Sequence, residues 1–200
     1  MALPTLDKGK IVTIVQLVFS LLALILSIVA MAGGVADNID TMKGSNWVGY
    51  SKNGMSVYSG WSTVCTEAMG QNACGDSEWD GAGAATAMGV LSFLFALVYL
   101  GMVAVKLFKP IKMLNMVECG VGFLGMIFAL VCFAIFSGDE DIAKSVADTD
   151  FEFGPGYGAC VVCFVFKLFA LVLGVLTLLP AFATTEIKAP GTTEAAAGHV

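Results

Sequence analysis

Four apolar runs, at about residues 11–31, 83–105, 113–136 and 158–180, constrain this chain more than any other feature. Each is about 20 residues or longer, enough to cross a hydrocarbon core of ~30 Å at ~1.5 Å of helix rise per residue. The fold class that follows is an α-helical membrane protein, a single four-span domain covering residues 1–200. Composition agrees: only 13% of the residues are charged, where soluble domains carry roughly a quarter.

The charges orient the spans. Lys8 and Lys10 precede the first run, and Lys106, Lys109 and Lys112 lie in the short link between the second and third. By the positive-inside rule both segments belong on the cytoplasmic face. The loop 32–82 carries Asp37, Asp40, Glu67, Asp76, Glu78 and Asp80 against Lys43 and Lys52. The loop 137–157 carries Asp139, Glu140, Asp141, Asp148, Asp150 and Glu152 against Lys144, for a net −9 over the two loops. The expected topology has both termini inside, two acidic loops outside and a disordered cytoplasmic tail at 181–200. Lys8, Lys10 and Ala30-Met31-Ala32 also outline a cleavable secretory signal. The apolar part of such a signal usually runs only about 7–15 residues, so a retained first span is the expectation.

The first outer loop is too long for a plain connector and should have its own structure. Asn53-Gly54 signals a hairpin, because a type I′ turn needs two residues at positive φ. Folding there pairs Lys52 with Met55, Tyr50 with Val57 and Trp47 with Gly60. Val48, Tyr50, Val57 and Trp61 then share one face and Trp47 and Tyr58 the other, with an indole covering the backbone that Gly60 leaves bare. Two strands alone are marginal in water, so a further strand or a covalent staple is expected. Cys65 and Cys74 can supply a disulfide on an oxidising outer face.

Trp47, then Gly60-Trp61-Ser62-Thr63-Val64-Cys65 and, eight residues on, Cys74 resembles the first-loop signature of claudins and their peripheral-myelin-protein and epithelial-membrane-protein relatives. There a tryptophan precedes Gly-Leu-Trp-x-x-Cys and a second cysteine. The leucine is missing here and Trp61 stands one place early. The arrangement of four spans, long first loop, short basic link and shorter second loop is also similar. So is the small-residue opening Gly83-Ala84-Ala85-Thr86-Ala87-Met88, although Thr86 stands where claudins carry arginine and this chain has no arginine. The resemblance implies a divergent member: a left-handed four-helix bundle under a small extracellular antiparallel sheet, at the plasma membrane. It further implies lateral and cell-to-cell association at junctions, as a paracellular barrier or pore. Acidic loops would make such a pore cation-preferring through Asp37, Asp40, Glu67, Asp76, Glu78 and Asp80. Auxiliary channel subunits and the amastin-like or fungal cortical surface organisers are the alternative functions within the same superfamily.

Partner contacts have two candidate sites. Phe151 and Phe153 tip the acidic second loop and can dock a neighbouring molecule or anchor at the membrane interface. His199 and Val200, as a C-terminal pair, can add to a PDZ sheet edge as claudin tails do, with Gly198 where a hydroxyl or aromatic would strengthen the motif. Within the spans, Gly81, Ala85 and Gly89 form a small-residue stripe that lets a neighbouring backbone approach, and Gly122, Gly125, Ala170 and Gly174 can do the same. Glu118 and Lys167 are the ionisable residues assigned to spans. By depth Glu118 is level with Gln16 and Lys167 with Ser92, so those contacts are expected rather than a direct pair.

One enzyme class competes. Cys160-Val161-Val162-Cys163 together with Cys65 and Cys74 is similar to the cysteine set of four-span quinone-linked thiol oxidoreductases. In that family the loop cysteines closely follow the first span, whereas here Cys65 and Cys74 come late in the loop. A non-enzymatic role is therefore expected, with no cofactor. The single histidine excludes a histidine metal site, and no phosphate-binding glycine loop, basic stripe or Asn-x-Ser/Thr sequon occurs.

Overall fold

The computed structural model describes residues 8–35, 38–76, 81–109, 111–138 and 152–179. In chain order the elements are α1 (Lys8–Val35), α2 (Ile39–Ser45), β1 (Val48–Lys52), β2 (Met55–Ser59), β3 (Thr63–Ala68) and β4 (Gln71–Asp76). They continue with α3 (Ala82–Phe108), α4 (Lys112–Gly138), β5 (Glu152–Phe153) and α5 (Pro155–Leu176). Helices α1, α3, α4 and α5 are long and apolar enough to cross a membrane, which makes this a multi-pass membrane protein. α1 packs chiefly against α5 and α3 against α4.

Inside the bundle the usual burial pattern is inverted. The buried non-glycine positions of α1 are Thr13, Gln16, Ser20, Ala23, Ser27 and Ala30, while Ile14, Val18, Leu21, Ile25 and Ile28 are exposed. On α3 the buried set is Ala85, Gly89, Ser92, Ala96, Tyr99, Val103 and Lys106. Both sets step by alternating threes and fours, the period of a continuous helix–helix seam. Small and polar residues occupy the seam because lipid already solvates large aliphatic side chains, so close backbone approach and hydrogen bonds decide which faces meet. The α1 hydroxyls are satisfied within their own helix: Thr13 Oγ1 donates to Gly9 O at 2.9 Å, Ser20 Oγ to Gln16 O at 2.7 Å and Ser27 Oγ to Ala23 O at 2.8 Å.

The first loop folds into most of a five-stranded antiparallel sheet, ordered β4-β3-β2-β1-β5. Asn53 (φ 53°) and Gly54 (φ 78°) turn β1 into β2 in the expected register, Lys52 opposite Met55 and Tyr50 opposite Val57. Met69 (φ 51°) and Gly70 (φ 79°) make a second turn of the same kind between β3 and β4. Cys65 and Cys74 face each other in the β3–β4 register and are joined by a disulfide. From the second loop β5 pairs with β1, Phe153 opposite Val48 and Glu152 opposite Gly49. The short α2 is capped by Asn38, whose Oδ1 accepts from Thr41 N at 2.9 Å. Its Ile39 and Met42 pack with Cys65 and Tyr58 beneath β2 and β3.

Two expectations for the hairpin need correction. Trp61 does not share a face with Val48, Tyr50 and Val57 opposite Trp47; Trp47, Val48 and Trp61 belong to one buried cluster, and Tyr58 packs elsewhere. The alternation of a strand ends at Ser59, since Gly60 turns the chain, its N–H donating to Thr63 O at 2.9 Å. At Gly60, expected beneath an indole, the nearest atoms are backbone. A Cβ there would lie 2.1 Å from Gly33 O, so this glycine is where the sheet's connection meets the end of α1.

Replacing Cys65 and Cys74 together by serine should remove about 2–3 kcal/mol from the sheet, the cross-link entropy of a loop of this size, and leave the spans intact. Limited proteolysis should cut within residues 63–76 while the far-UV circular dichroism of the helices is unchanged.

Candidate functional site: a stapled sheet seated on a tryptophan dock

Where sheet meets bundle, two tryptophans form the joint. Trp47 is wholly buried and its indole N–H donates to Ala30 O near the end of α1 at 2.9 Å. Its ring meets Trp61 edge-on at 5.0 Å, Phe136 of α4 at 4.9 Å and Tyr157 of α5 at 5.9 Å. Such tilted aromatic pairs contribute roughly 0.5–1.5 kcal/mol each beyond the area they bury. Trp61 slots between α1 and α3. A Cβ added at Gly34 would lie 2.3 Å from its ring, and one at Gly89 would lie 2.2 Å away. Gly34 O also accepts from Trp61 N at 2.8 Å and from Ser62 N at 3.0 Å. The Ala85–Gly89 stripe expected to admit a neighbouring backbone thus admits an indole at Gly89, and at Ala85 its carbonyl accepts from Cys132 Sγ at 3.4 Å. Gly81, the first member of that stripe, is half-buried at the start of α3.

All five residues of the sequence signature, Trp47, Gly60, Trp61, Cys65 and Cys74, therefore serve the sheet or its seat. Away from the seat, the turns at 53–54 and 69–70 lie together at the far end of the sheet, with Met55 44% exposed and Met69 fully exposed. β4 is exposed along its whole length and forms one edge. Phe153 is half-exposed and stacks on Tyr157 at 4.3 Å. Phe151, Asp37, Glu78, Asp80, His199 and Val200 lie outside the described residues. Of the other acidic candidates, Asp40 and Asp76 are exposed. Glu67 accepts an ion pair from Lys43 at 2.8 Å, and this contact holds the Lys43 ammonium above its ordinary value.

The intramembrane polar residues form two separate networks, as their depths imply. Lys167 Nζ donates to Ser92 O at 3.1 Å and also to Ser92 Oγ, whose hydroxyl reaches Gly125 O at 3.1 Å. Gln16 Nε2 bonds Glu118 Oε1 and, at 2.7 Å, Tyr99 Oη, which donates to Ala170 O at 2.8 Å. The centre of this second network is a residue that the sequence reading placed in the link. Lys106 is 2% exposed, pairs with Glu118 Oε2 at 2.9 Å, and reaches Gln16 Oε1 at 3.0 Å and Thr177 Oγ1 at 3.3 Å. One ion pair and its neighbours thereby tie together α1, α3, α4 and the end of α5. The signal was there to be read: Lys106 follows Ala96, Tyr99 and Val103 at the steps of the α3 seam.

The cysteines fall into two groups. Cys65 and Cys74 staple the sheet, whereas Cys119, Cys132, Cys160 and Cys163 are free thiols, the last three buried in the bundle. Cys65 packs with Ile39, Met42 and Tyr58, and Cys132 and Cys160 with the tryptophans, so the two groups occupy different clusters. Among the described residues no cluster of histidine, cysteine and carboxylate could hold a metal ion. Neither a family model nor a curated protein matches the sequence.

Three single substitutions separate joint from bundle. Trp61→Ala should empty the slot between Gly34 and Gly89 and cost about 3–5 kcal/mol, read as a lower unfolding midpoint in detergent. Lys106→Met should cost a similar ~3–5 kcal/mol by stranding the Glu118 charge, with recovery in the Lys106→Met, Glu118→Gln double variant. Lys167→Met, which strands no charge, should shift the midpoint far less.

Proposed function

We propose that this chain is a divergent claudin-like tetraspan that organises membrane contacts, associating with copies of itself or related tetraspans in the plane of the plasma membrane and across apposed cells. In this reading the sheet is extracellular, both termini are cytoplasmic and the bundle is left-handed. The lysines of the link and the acidic loops support the orientation. The alternating three–four spacing of the seam supports the hand, since a 3.5-residue period winds helices to the left. Nothing in the proposed role requires catalysis or a cofactor.

The observation that carries the proposal is the mounting of the sheet. Trp47 and Trp61 fix its near end in the bundle, and the disulfide and paired turns stiffen it. Its far end then presents Met55, Met69 and the open β4 edge. A rigid sheet that displays apolar tips and, among the described residues, an edge strand is built to meet another surface, because both features invite pairing. Exposed Asp40 and Asp76 give that surface a negative field, so a pore lined by it concentrates cations. A PDZ scaffold at His199 and Val200 completes the proposed partners.

Two measurements on cell layers expressing the full chain test this. Protein tagged at its cytoplasmic end should accumulate at borders between two expressing cells, and Met69→Glu with Met55→Glu should disperse it without loss from the surface. If the layers become conductive, permeability should favour Na⁺ over Cl⁻ and the preference should fall in Asp40→Asn, Asp76→Asn. Anion preference would sink the pore reading. Uniform surface distribution with one unrelated protein co-purifying at fixed stoichiometry would replace the contact role by that of an auxiliary subunit.

A further inference from the structure

We infer that Cys132 and Cys160 are a peroxide-oxidisable dithiol that closes into a disulfide between α4 and α5 inside the bundle. This does not depend on the contact role proposed above. Cys132 is 1% exposed and Cys160 6%, and the two thiols, on the packed helices α4 and α5, belong to one buried cluster and line one cavity. Cys163 points another way: its Sγ donates to Ala23 O at 3.2 Å and lies 3.1 Å from Ser27 Oγ, both on α1. The pair poised to bond is therefore the inter-helix one, not the Cys-x-x-Cys pair that sequence spacing draws attention to.

Thiols packed in apolar helices are ordinarily inert because no oxidant reaches them. Here a cavity of about 20 Å³ opens against Ser27, Trp61, Ala129, Cys132, Cys160 and Cys163, and a space of this size holds one water-sized molecule. Hydrogen peroxide is small, uncharged and hydrogen-bonding, so it matches that space. Cys160 sulfur attacks one peroxide oxygen; the O–O bond breaks, and the departing hydroxide takes the thiol proton to give water and a sulfenic acid. Cys132 sulfur then attacks Cys160 sulfur. The S–S bond forms, the S–O bond breaks, and hydroxide leaves with the Cys132 proton as a second water. Two thiols and one peroxide become one disulfide and two waters.

The position of the bond gives it a consequence. Phe136 lies one turn beyond Cys132 on α4, and Tyr157 lies one turn before Cys160 on α5. Those two rings flank Trp47. Oxidation would lock together the two helices that grip the sheet's anchor.

The test uses the full-length protein in its own membranes. After exposure to hydrogen peroxide the sample is denatured, alkylated with a maleimide and digested without reduction, and peptides are mapped by mass spectrometry. Alkylatable thiols should fall from four to two, with a new Cys132–Cys160 cross-link, an unchanged Cys65–Cys74 cross-link, and Cys119 and Cys163 still alkylated. Cys163→Ser should retain the new cross-link and Cys160→Ser should lose it. Four thiols remaining in the wild type, a Cys160–Cys163 link, or sulfinic acid at Cys132 or Cys160 without a cross-link would each overturn the inference; none of these readings depends on a variant that must fold.

Discussion

Lipid offers helices no hydrophobic reason to associate, and this structure is arranged around that fact. With no water to solvate backbone or polar groups between the spans, whatever brings helices together must be close approach or hydrogen bonding. The α1 and α3 seams supply both, placing alanine and glycine beside serine, glutamine, tyrosine and lysine. The Lys106–Glu118 pair is the strongest single expression of it. A buried charge is tolerable only with a partner and further hydrogen bonds, and Gln16 and Thr177 provide them for Lys106. Lys106 and Glu118 face each other across the short α3–α4 link, whereas Gln16 and Thr177 come from α1 and the end of α5, so the full set of bonds forms only when the bundle is assembled.

At the sheet end the same logic gives way to aromatic packing. The seam continues through Ala85 and Gly89, and at Gly89 it receives the Trp61 indole from the first loop. Trp47 adds its indole N–H to the Ala30 carbonyl and gathers Phe136 and Tyr157 around it. The sheet is in effect a fifth packing element, inserted into the end of the bundle by two side chains. That is why strand residues near the seat are buried while β4, farthest across the sheet from β1, is exposed throughout.

Much of this was legible in the residues, and the failures have physical causes. The four spans follow from length and apolarity, and the first hairpin register from Asn53-Gly54, because each is a local signal. The Gln16–Glu118 and Lys167–Ser92 contacts follow from depth, since spanning helices of fixed rise put equal depths side by side. The second turn was missed because Met69 takes positive φ without the asparagine or glycine that normally announces it. Strand periodicity carried through Gly60 puts Trp61 on the wrong face, because the chain leaves the sheet there. A lysine near a span end ordinarily reaches for water, which places Lys106 in the link; only the seam spacing distinguishes one that turns inward. β5 has no local signature, as two residues become a strand only by finding the β1 edge.

That edge has a temporal side. β1 is made early, but the strand that covers its outer side, residues 152–153, is synthesised ~100 residues later, after α3 and α4. Through that interval the first four strands can pair, and the staple can close, while the outer edge of β1 stays open. The second loop then works as a latch as well as a connector: by docking Phe153 beside Val48 it closes the sheet only once α4 has crossed and α5 is being laid down. An unfinished chain thus carries a visible mark of its incompleteness, an open strand edge at the base of the sheet.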